Sequence, residues 1–427
     1  MKKLFGIAMS LASVTLLAAC GSNASSKSTG SEKSDTLKVL LSEEPSDTNA
    51  LNIALNTWAK ETGNKVETIV IPYDDQLTKF PLMVKNNDVP DLVATTRLTR
   101  LYPEEFVDLS KDIDKSIFDE TALKTISQDF SDDKVLAAPN QYTVTCYFYN
   151  ADALKKAGIT PPTEDDPWTI DEMYDYATQL QKDGIVKYGF ASDYSRARYD
   201  TLMYANGGSM TEKDGDSFEV TINSKENIDT LQKFIDLNNN GVMPKVIWTG
   251  GSSDNPADYF KNGDVGIYLS GSWNYEQFYN DIKDFNFSVM PSPKGTVSQA
   301  AVSGGSGLAV PTSSGNKDLA VKFLKWLYEE NNYKEYLSND KGLSFINGVT
   351  VENEDEKVAK DYAVMQAEMN NVTNTFLVDE ESGWRNYLDN EYRDYLKQAV
   401  SGELTAKQAL DSFAKDLNKK SDWKIKN

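Results

Sequence analysis

Leu37-Lys38-Val39-Leu40-Leu41 is followed by Val66-Glu67-Thr68-Ile69-Val70-Ile71 and then by Pro90-Asp91-Leu92-Val93, with room for one helix in each interval. The first two runs are aliphatic and partly β-branched, and Pro72 closes the second because it cannot continue a ladder. Between them, residues 50–61 place Leu51, Leu55, Trp58 and Ala59 at helical spacing, and a second helix is predicted over residues 77–85. Strand-helix-strand-helix-strand in this order favours an α/β fold, with a mostly parallel sheet covered by helices on both faces.

Working outward, Trp168-Thr169-Ile170-Asp171-Glu172-Met173 is a sharp helix start: Thr169 and Glu172 form a capping box, and Trp168 and Met173 occupy the staple positions. Thr405 and Gln408 repeat the device before Leu410, Phe413 and Leu417. Residues 316–337 read as one long amphipathic helix carrying Leu319, Ala320, Phe323, Leu324 and Leu327 on one face. Gly305-Ser306-Gly307 reads as a tight turn leading into a strand.

Composition narrows the chemistry. The chain has 427 residues, 44 Lys plus Arg against 65 Asp plus Glu, a formal charge of −21, two Cys and no His. Its length suits two or three domains, and its 40% hydrophobic and 11% aromatic content belongs to a globular protein. The acidic excess argues against a nucleic-acid partner. Without His there is no Ser-His-Asp or Cys-His catalysis and no imidazole-bound zinc. Only six residues are Arg (Arg97, Arg100, Arg196, Arg198, Arg385 and Arg393), so the chain holds few bidentate clamps and an uncharged ligand is expected.

At the N-terminus Lys2 and Lys3 precede an apolar run from Leu4 to Leu17 that is too short to span a bilayer, which reads as a signal peptide over residues 1–19. Leu17-Ala18-Ala19-Cys20 resembles the bacterial lipobox, implying a lipidated Cys20. Residues 20–35 are a Gly/Ser-rich flexible tether. Cys146 is then a lone thiol.

Catalytic constellations are missing. Gly305-Ser306-Gly307-Leu308 lacks the third glycine and the acidic partner of a dinucleotide loop. Asp112 and Asp114 begin like a calcium loop whose glycine and closing Glu are misplaced. Adjacent carboxylates such as Glu43-Glu44 or Asp165-Asp166 carry no geometric information in so acidic a chain. No cofactor and no metal are expected. The aromatic residues are more informative. Trp273 follows the apolar run from Val265 to Leu269 within Ser270-Gly271-Ser272-Trp273-Asn274, so its indole is expected beyond a sheet edge, and Trp384 follows the polar break Glu381-Ser382-Gly383. Trp248, at a loop edge, is read equally as core or site. Flat indoles bordered by hydrogen-bonding groups suit sugars, whose rings have apolar C–H faces and hydroxyl rims.

The chain resembles the extracellular solute-binding proteins of bacterial ABC carbohydrate importers, the maltose- and multiple-sugar-binding type. The resemblance runs from about Leu37 to Asn418. It is carried by Pro90-Asp91-Leu92-Val93, Tyr147-Phe148-Tyr149-Asn150, Trp168-Thr169-Ile170-Asp171-Glu172, Asn206-Gly207-Gly208, Gly266 to Trp273, and Gly304 to Pro311, in that order. It implies a periplasmic-binding-protein-like fold: two α/β lobes, a hinge and an interlobe cleft for a mono- or oligosaccharide. The implied lobes are residues 36–143 plus 292–343, and 144–291 plus 344–427, with crossings near 142–145, 289–293 and 343–350. Cleft positions implied by the resemblance are Trp273 and Trp384 as platforms, with Glu44, Tyr73, Thr95, Arg97, Tyr142, Asp193, Tyr194, Gly305 and Ser306; Trp248 and Asn206 join them as candidates. The sequence departs from the family around Thr95 to Arg100, and this departure, with the Arg196/Arg198 pair, suggests a ligand other than plain maltodextrin. The implied protein is a monomer without enzymatic activity, lipid-anchored through Cys20 on the extracytoplasmic face of a Gram-positive cell membrane, and read by permease subunits. A lipid-anchored glycoside hydrolase and a receptor for a non-sugar solute such as a polyamine are the alternative readings.

Overall fold

The computed structural model describes residues 35–426 except 43, 48, 96, 128–133, 251–254, 351–352 and 354. The expected signal peptide, Cys20 and residues 20–34 of the tether lie outside the described residues, as does the side chain of Tyr73. The strands are β1 (Thr36–Leu41), β2 (Lys65–Val70), β3 (Leu92–Thr95), β4 (Ala138–Asn150), β5 (Tyr188–Ser192), β6 (Thr211–Asp214), β7 (Ser217–Val220), β8 (Val265–Gly271), β9 (Phe287–Met290), β10 (Ser303–Ala309) and β11 (Lys424–Ile425). The principal sheet runs β2-β1-β3-β10-β4-β8-β5, and β9 also pairs with β4. The opening strands β1, β2 and β3 are parallel, as their helical connections require, whereas β10 joins β3 antiparallel.

The 13-residue strand β4 joins the halves of this sheet. Its first part, from Ala138 to Val144, pairs with β10, and from Thr145 onward it pairs with β8 and then β9. Period-two alternation along these strands sends neighbouring side chains into different cores. Cys146 and Phe148 enter the core shared with β1 and the helix Lys317–Leu327, while Tyr147 and Tyr149 enter the core built on Ile170–Lys182 and Ala406–Ser421. Likewise Tyr268 faces one core and Ile267 and Leu269 the other. Cys146 is a free, buried thiol.

Both capping boxes form: Glu172 N donates to Thr169 Oγ1 at 3.1 Å, and Gln408 N to Thr405 Oγ1 at 3.2 Å. Three expectations fail. The principal sheet is mixed, not mostly parallel: only β1/β2, β1/β3 and β5/β8 pair parallel, because β4, β8, β9 and β10 return across it antiparallel. Residues 316–337 are two helices, Lys317–Leu327 and Glu330–Asp340, because Glu329 adopts extended backbone (ψ 135°). The buried face explains the break: after Leu327 the next buried side chains are Tyr333, Tyr336 and Leu337, a step out of phase with a continuous helix. Gly305-Ser306-Gly307 is part of strand β10, not a turn.

Asp361 fixes the part of the fold that carries the site. Nearly fully buried on the helix Glu356–Ala367, it accepts from Tyr275 Oη at 2.7 Å, Val289 N at 3.2 Å, Lys357 Nζ at 2.8 Å and Ser288 Oγ. It thereby pins β9 and the helix that starts two residues after Trp273. Removing one partner of a buried charged network leaves the others unpaired, so Asp361→Ala is expected to destabilise the fold by about 3–5 kcal/mol in urea unfolding, with a matched fall in midpoint.

Candidate functional site

Strand β8 ends at Gly271, and Ser272–Asn274 form a single 3-10 turn that lifts Trp273 off the sheet, 44% exposed. The indole folds back over Gly271, where a Cβ would meet its ring carbons at 1.8 Å, so the close approach requires glycine there. The guanidinium of Arg198 lies against the indole, with Cζ 4.4 Å from the ring centre. Planar guanidinium on an indole face is a favourable cation–π arrangement. Asp193 holds it there: its carboxylate accepts from Arg198 Nε at 3.1 Å, from Ser270 Oγ at 2.7 Å and from Tyr268 Oη. Ser270 Oγ also accepts from Asn274 Nδ2 at 2.7 Å, which closes the turn around Trp273.

Trp273 and Arg198 border a cavity of about 660 Å³ whose opposite wall is Glu44, Asn49 and Ala94, with Asn140, Gln141, Thr143, Gly305 and Ser306 as its floor. A register shift between Ser306 and Gly307 puts an extra residue into β4 and brings Asn140 onto this floor, where Ser306 Oγ donates to Asn140 Oδ1 at 2.7 Å. Gly305 has φ +146°, and a Cβ there would sit 2.1 Å from the Gln141 carbonyl, so the strands approach closely only with glycine. Tyr336 and Asp340 complete the rim from the helix Glu330–Asp340. Burial, reinforced by Glu276 and opposed by the Gln141 amide, pushes Asp340 up to about 6.

A smaller recess of about 230 Å³ shares Thr143, Arg198, Trp273 and Gly305 with this cavity. Arg97, Arg196, Arg385 and Glu380 also line it. Arg196 pairs with Asp200 at 2.9 Å and Asp389 at 2.7 Å, and Arg385 with Glu380 at 3.0 Å and Asp389 at 3.2 Å. Against its burial, the two guanidiniums hold Asp389 down to about 2.

Of the residues expected in the cleft, Trp273, Glu44, Gly305 and Ser306 meet at the main cavity and Arg97 lines the recess. The others are placed elsewhere. Trp384 is 1% exposed and packs edge-on against Tyr392 and Phe413, so it offers no face to a ligand. Gly383, in the left-handed region at φ 66°, turns the chain inward before it. Trp248 is equally buried, wedged between Tyr194 and Phe234, and its Nε1 donates to Ser192 Oγ at 3.3 Å. Tyr194 packs on Trp248 under the Arg393 guanidinium. Alternation along β4 directs Gln141 and Thr143 to the cavity and Tyr142 into the core, where burial raises its hydroxyl pKa. Thr95 is buried and accepts from Leu98 N at 3.0 Å and Arg97 N, capping the short helix Leu98–Leu101. Asn206 bonds Thr230 and Thr296, away from both cavities. Asp193 serves as a positioning residue behind Arg198. Asn140, Gln141, Thr143 and Asp340 also line the cavity; in the sequence only the polar run Asn140-Gln141 inside an otherwise apolar strand marks the first two.

The chain is thus a mixed α/β fold whose polar cavity is bordered by an exposed indole. Residues 54–366 match the bacterial extracellular solute-binding protein family, and the chain belongs to it. It is 25% identical over 438 residues to the galactooligosaccharide-binding protein of Bacillus subtilis, covering 97% of this chain and 96% of that one. The arabinooligosaccharide-binding protein of the same organism is 24% identical over 400 residues, covering 83% and 85%. Among solved structures, an ABC substrate-binding protein from Listeria monocytogenes in complex with cycloalternan superposes with a TM-score of 0.73 at 21% identity, covering 91% of this chain and 99% of that one.

Two tryptophan variants separate platform from core. Trp273→Ala is expected to leave the unfolding midpoint nearly unchanged while sugar binding in calorimetry is lost or greatly weakened. Trp384→Ala is expected to destabilise the fold by about 3–5 kcal/mol, as loss of a large core side chain does.

Proposed function

We propose that this protein captures an oligosaccharide in the cavity beside Trp273 and delivers it to the permease of an ABC importer. The observation that carries the reading is the composition of the cavity wall. Glu44, Gln141, Gly305 and Asp340 come from the segments assigned to one lobe, 36–143 and 292–343, and Arg198 and Trp273 from the other, 144–291 and 344–427. A ligand touching both walls binds the closed arrangement better than an open one, which shifts the equilibrium toward closure. Crossings near 142–145, 289–293 and 343–350 act as the hinge, and the change of β4 partner at Val144 and Thr145 supports the first of them.

An indole face for sugar C–H groups, four side-chain amides or hydroxyls on the floor and two carboxylates on the rim match a neutral pyranose or furanose with many hydroxyls. The galacto- and arabino-oligosaccharide-binding relatives support the same ligand class. Among the described residues no helix is long and apolar enough to cross a membrane. Cys20 supplies the membrane attachment through a diacylglyceryl group on the outer face of a Gram-positive cell, and the protein works as a monomer. It performs no hydrolysis.

Calorimetric titration with galacto- and arabino-oligosaccharides, followed by chromatography of the recovered sugar, tests the reading. Saturable binding with the sugar returned intact is expected; release of cleaved products contradicts it. Asp340 adds a pH test. Above its pKa of about 6 the ionised carboxylate accepts sugar hydroxyls, so affinity is expected to fall as pH drops through about 6, and Asp340→Asn to abolish this dependence. Because burial raises the folded pKa above the unfolded one, this group's contribution to stability is full in acid and lost as pH rises through about 6. The sugar-free Asp340→Asn variant should show a shallower decline in melting temperature, the remainder coming from Asp200 and Asp379, which burial raises to about 6 and about 7.

A further inference from the structure

Arginine is scarce in this acidic chain, yet five of its six arginines gather at the small recess behind Trp273. Arg97, Arg196, Arg198 and Arg385 line it. Arg100 stands close enough that Arg385 and Arg196 add to its burial in lowering its pKa to about 10. Ion pairs do not account for all of this charge. Among the described residues Arg198 makes one ion pair, through Nε to Asp193, its Nη groups have no such partner, and the residue lines both cavities. Arg100 Nε is buried without a hydrogen-bond partner among the described residues. Glu380 and Asp389 are each shared between Arg196 and Arg385.

Neutral hydroxyls do not need such a site. The main cavity already offers amides, hydroxyls and the carboxylates of Glu44 and Asp340, which accept from sugar hydroxyls and repel anions. The two compartments therefore have opposite preferences, and they meet at Arg198. A guanidinium held through Nε and seated over an indole keeps its two Nη groups as a fork, the geometry that binds two oxygens of one anionic group.

Building on the oligosaccharide reading, we infer that the arginine recess receives an anionic substituent, carboxylate or phosphate, on the terminal unit of the ligand, so that the sugar captured is acidic. The neutral remainder of the chain lies in the main cavity beside Trp273. Arg198 is the specificity-determining contact and Asp193 its positioning residue.

The test is calorimetry of the full folded chain against three probe sets: aldouronic acids bearing one uronate on a neutral di- or trisaccharide, the same compounds after carboxyl reduction, and hexose 6-phosphates. An acidic saccharide is expected to bind roughly 10- to 100-fold more tightly than its carboxyl-reduced counterpart, the range of a charge-assisted bidentate contact. Arg198→Gln should bring the two to equal affinity, with an unchanged unfolding midpoint; Arg198→Lys should recover part of the difference. Preference for the aldouronic acids identifies the substituent as a carboxylate and preference for the hexose phosphates as a phosphate. Equal or tighter binding of the carboxyl-reduced sugars overturns the inference and leaves the oligosaccharide reading intact. Absence of binding in all three sets, with galacto- and arabino-oligosaccharides also inert, overturns both.

Discussion

Asp193 is the group on which the arrangement of the cleft depends. A partly buried carboxylate must be matched by donors, and here three converge on it: the Tyr268 and Ser270 hydroxyls from β8 and the Arg198 guanidinium from the helix Arg196–Ala205. These bonds lock the strand end that carries Trp273 to the helix that carries Arg198. The stacked pair is thus held before any ligand arrives, and little side-chain entropy remains to be lost on binding. Beneath it, Asp361 holds Tyr275 and β9 by similar means. Two carboxylates, part-buried Asp193 and buried Asp361, thus hold the strand end, helix and turn around Trp273 in place.

The geometry also explains how a chain with such a large acidic excess can hold a cationic recess. Most of its negative charge lies on exposed faces, where water screens it. The arginines instead stand in a part-buried space where their field is far less attenuated. Net charge speaks to solubility and to long-range partners; it says little about the field at one recess. A count of six arginines says nothing of their placement, and folding brings five of them to one recess.

The fold was legible because its signals are local. The β1-to-β3 opening, both capping boxes and the helix beginning at Ala50 follow from residue spacing and cap chemistry alone. Trp273 was legible for a related reason, since an apolar strand ending in Gly-Ser-Trp has to release its indole at the edge. Trp384 and Trp248 stand in comparable polar contexts, but their exposure is decided by partners far away in sequence, such as Phe413 and Phe234. Tyr142 missed the cleft by one position, because a single step along a strand reverses the face. The floor residues Asn140 and Gln141 depend on a bulge between β4 and β10, strands more than 150 residues apart in the chain, and no local pattern encodes that pairing.

A crystal structure of the protein soaked with, or grown from, a binding oligosaccharide tests the central claim most directly. Sugar density is expected in the cavity between Trp273 and the Asn140–Gln141 floor, one ring against the exposed indole, with Arg198 and Asp193 still paired. Density at a site that touches neither Trp273 nor Arg198 would contradict it.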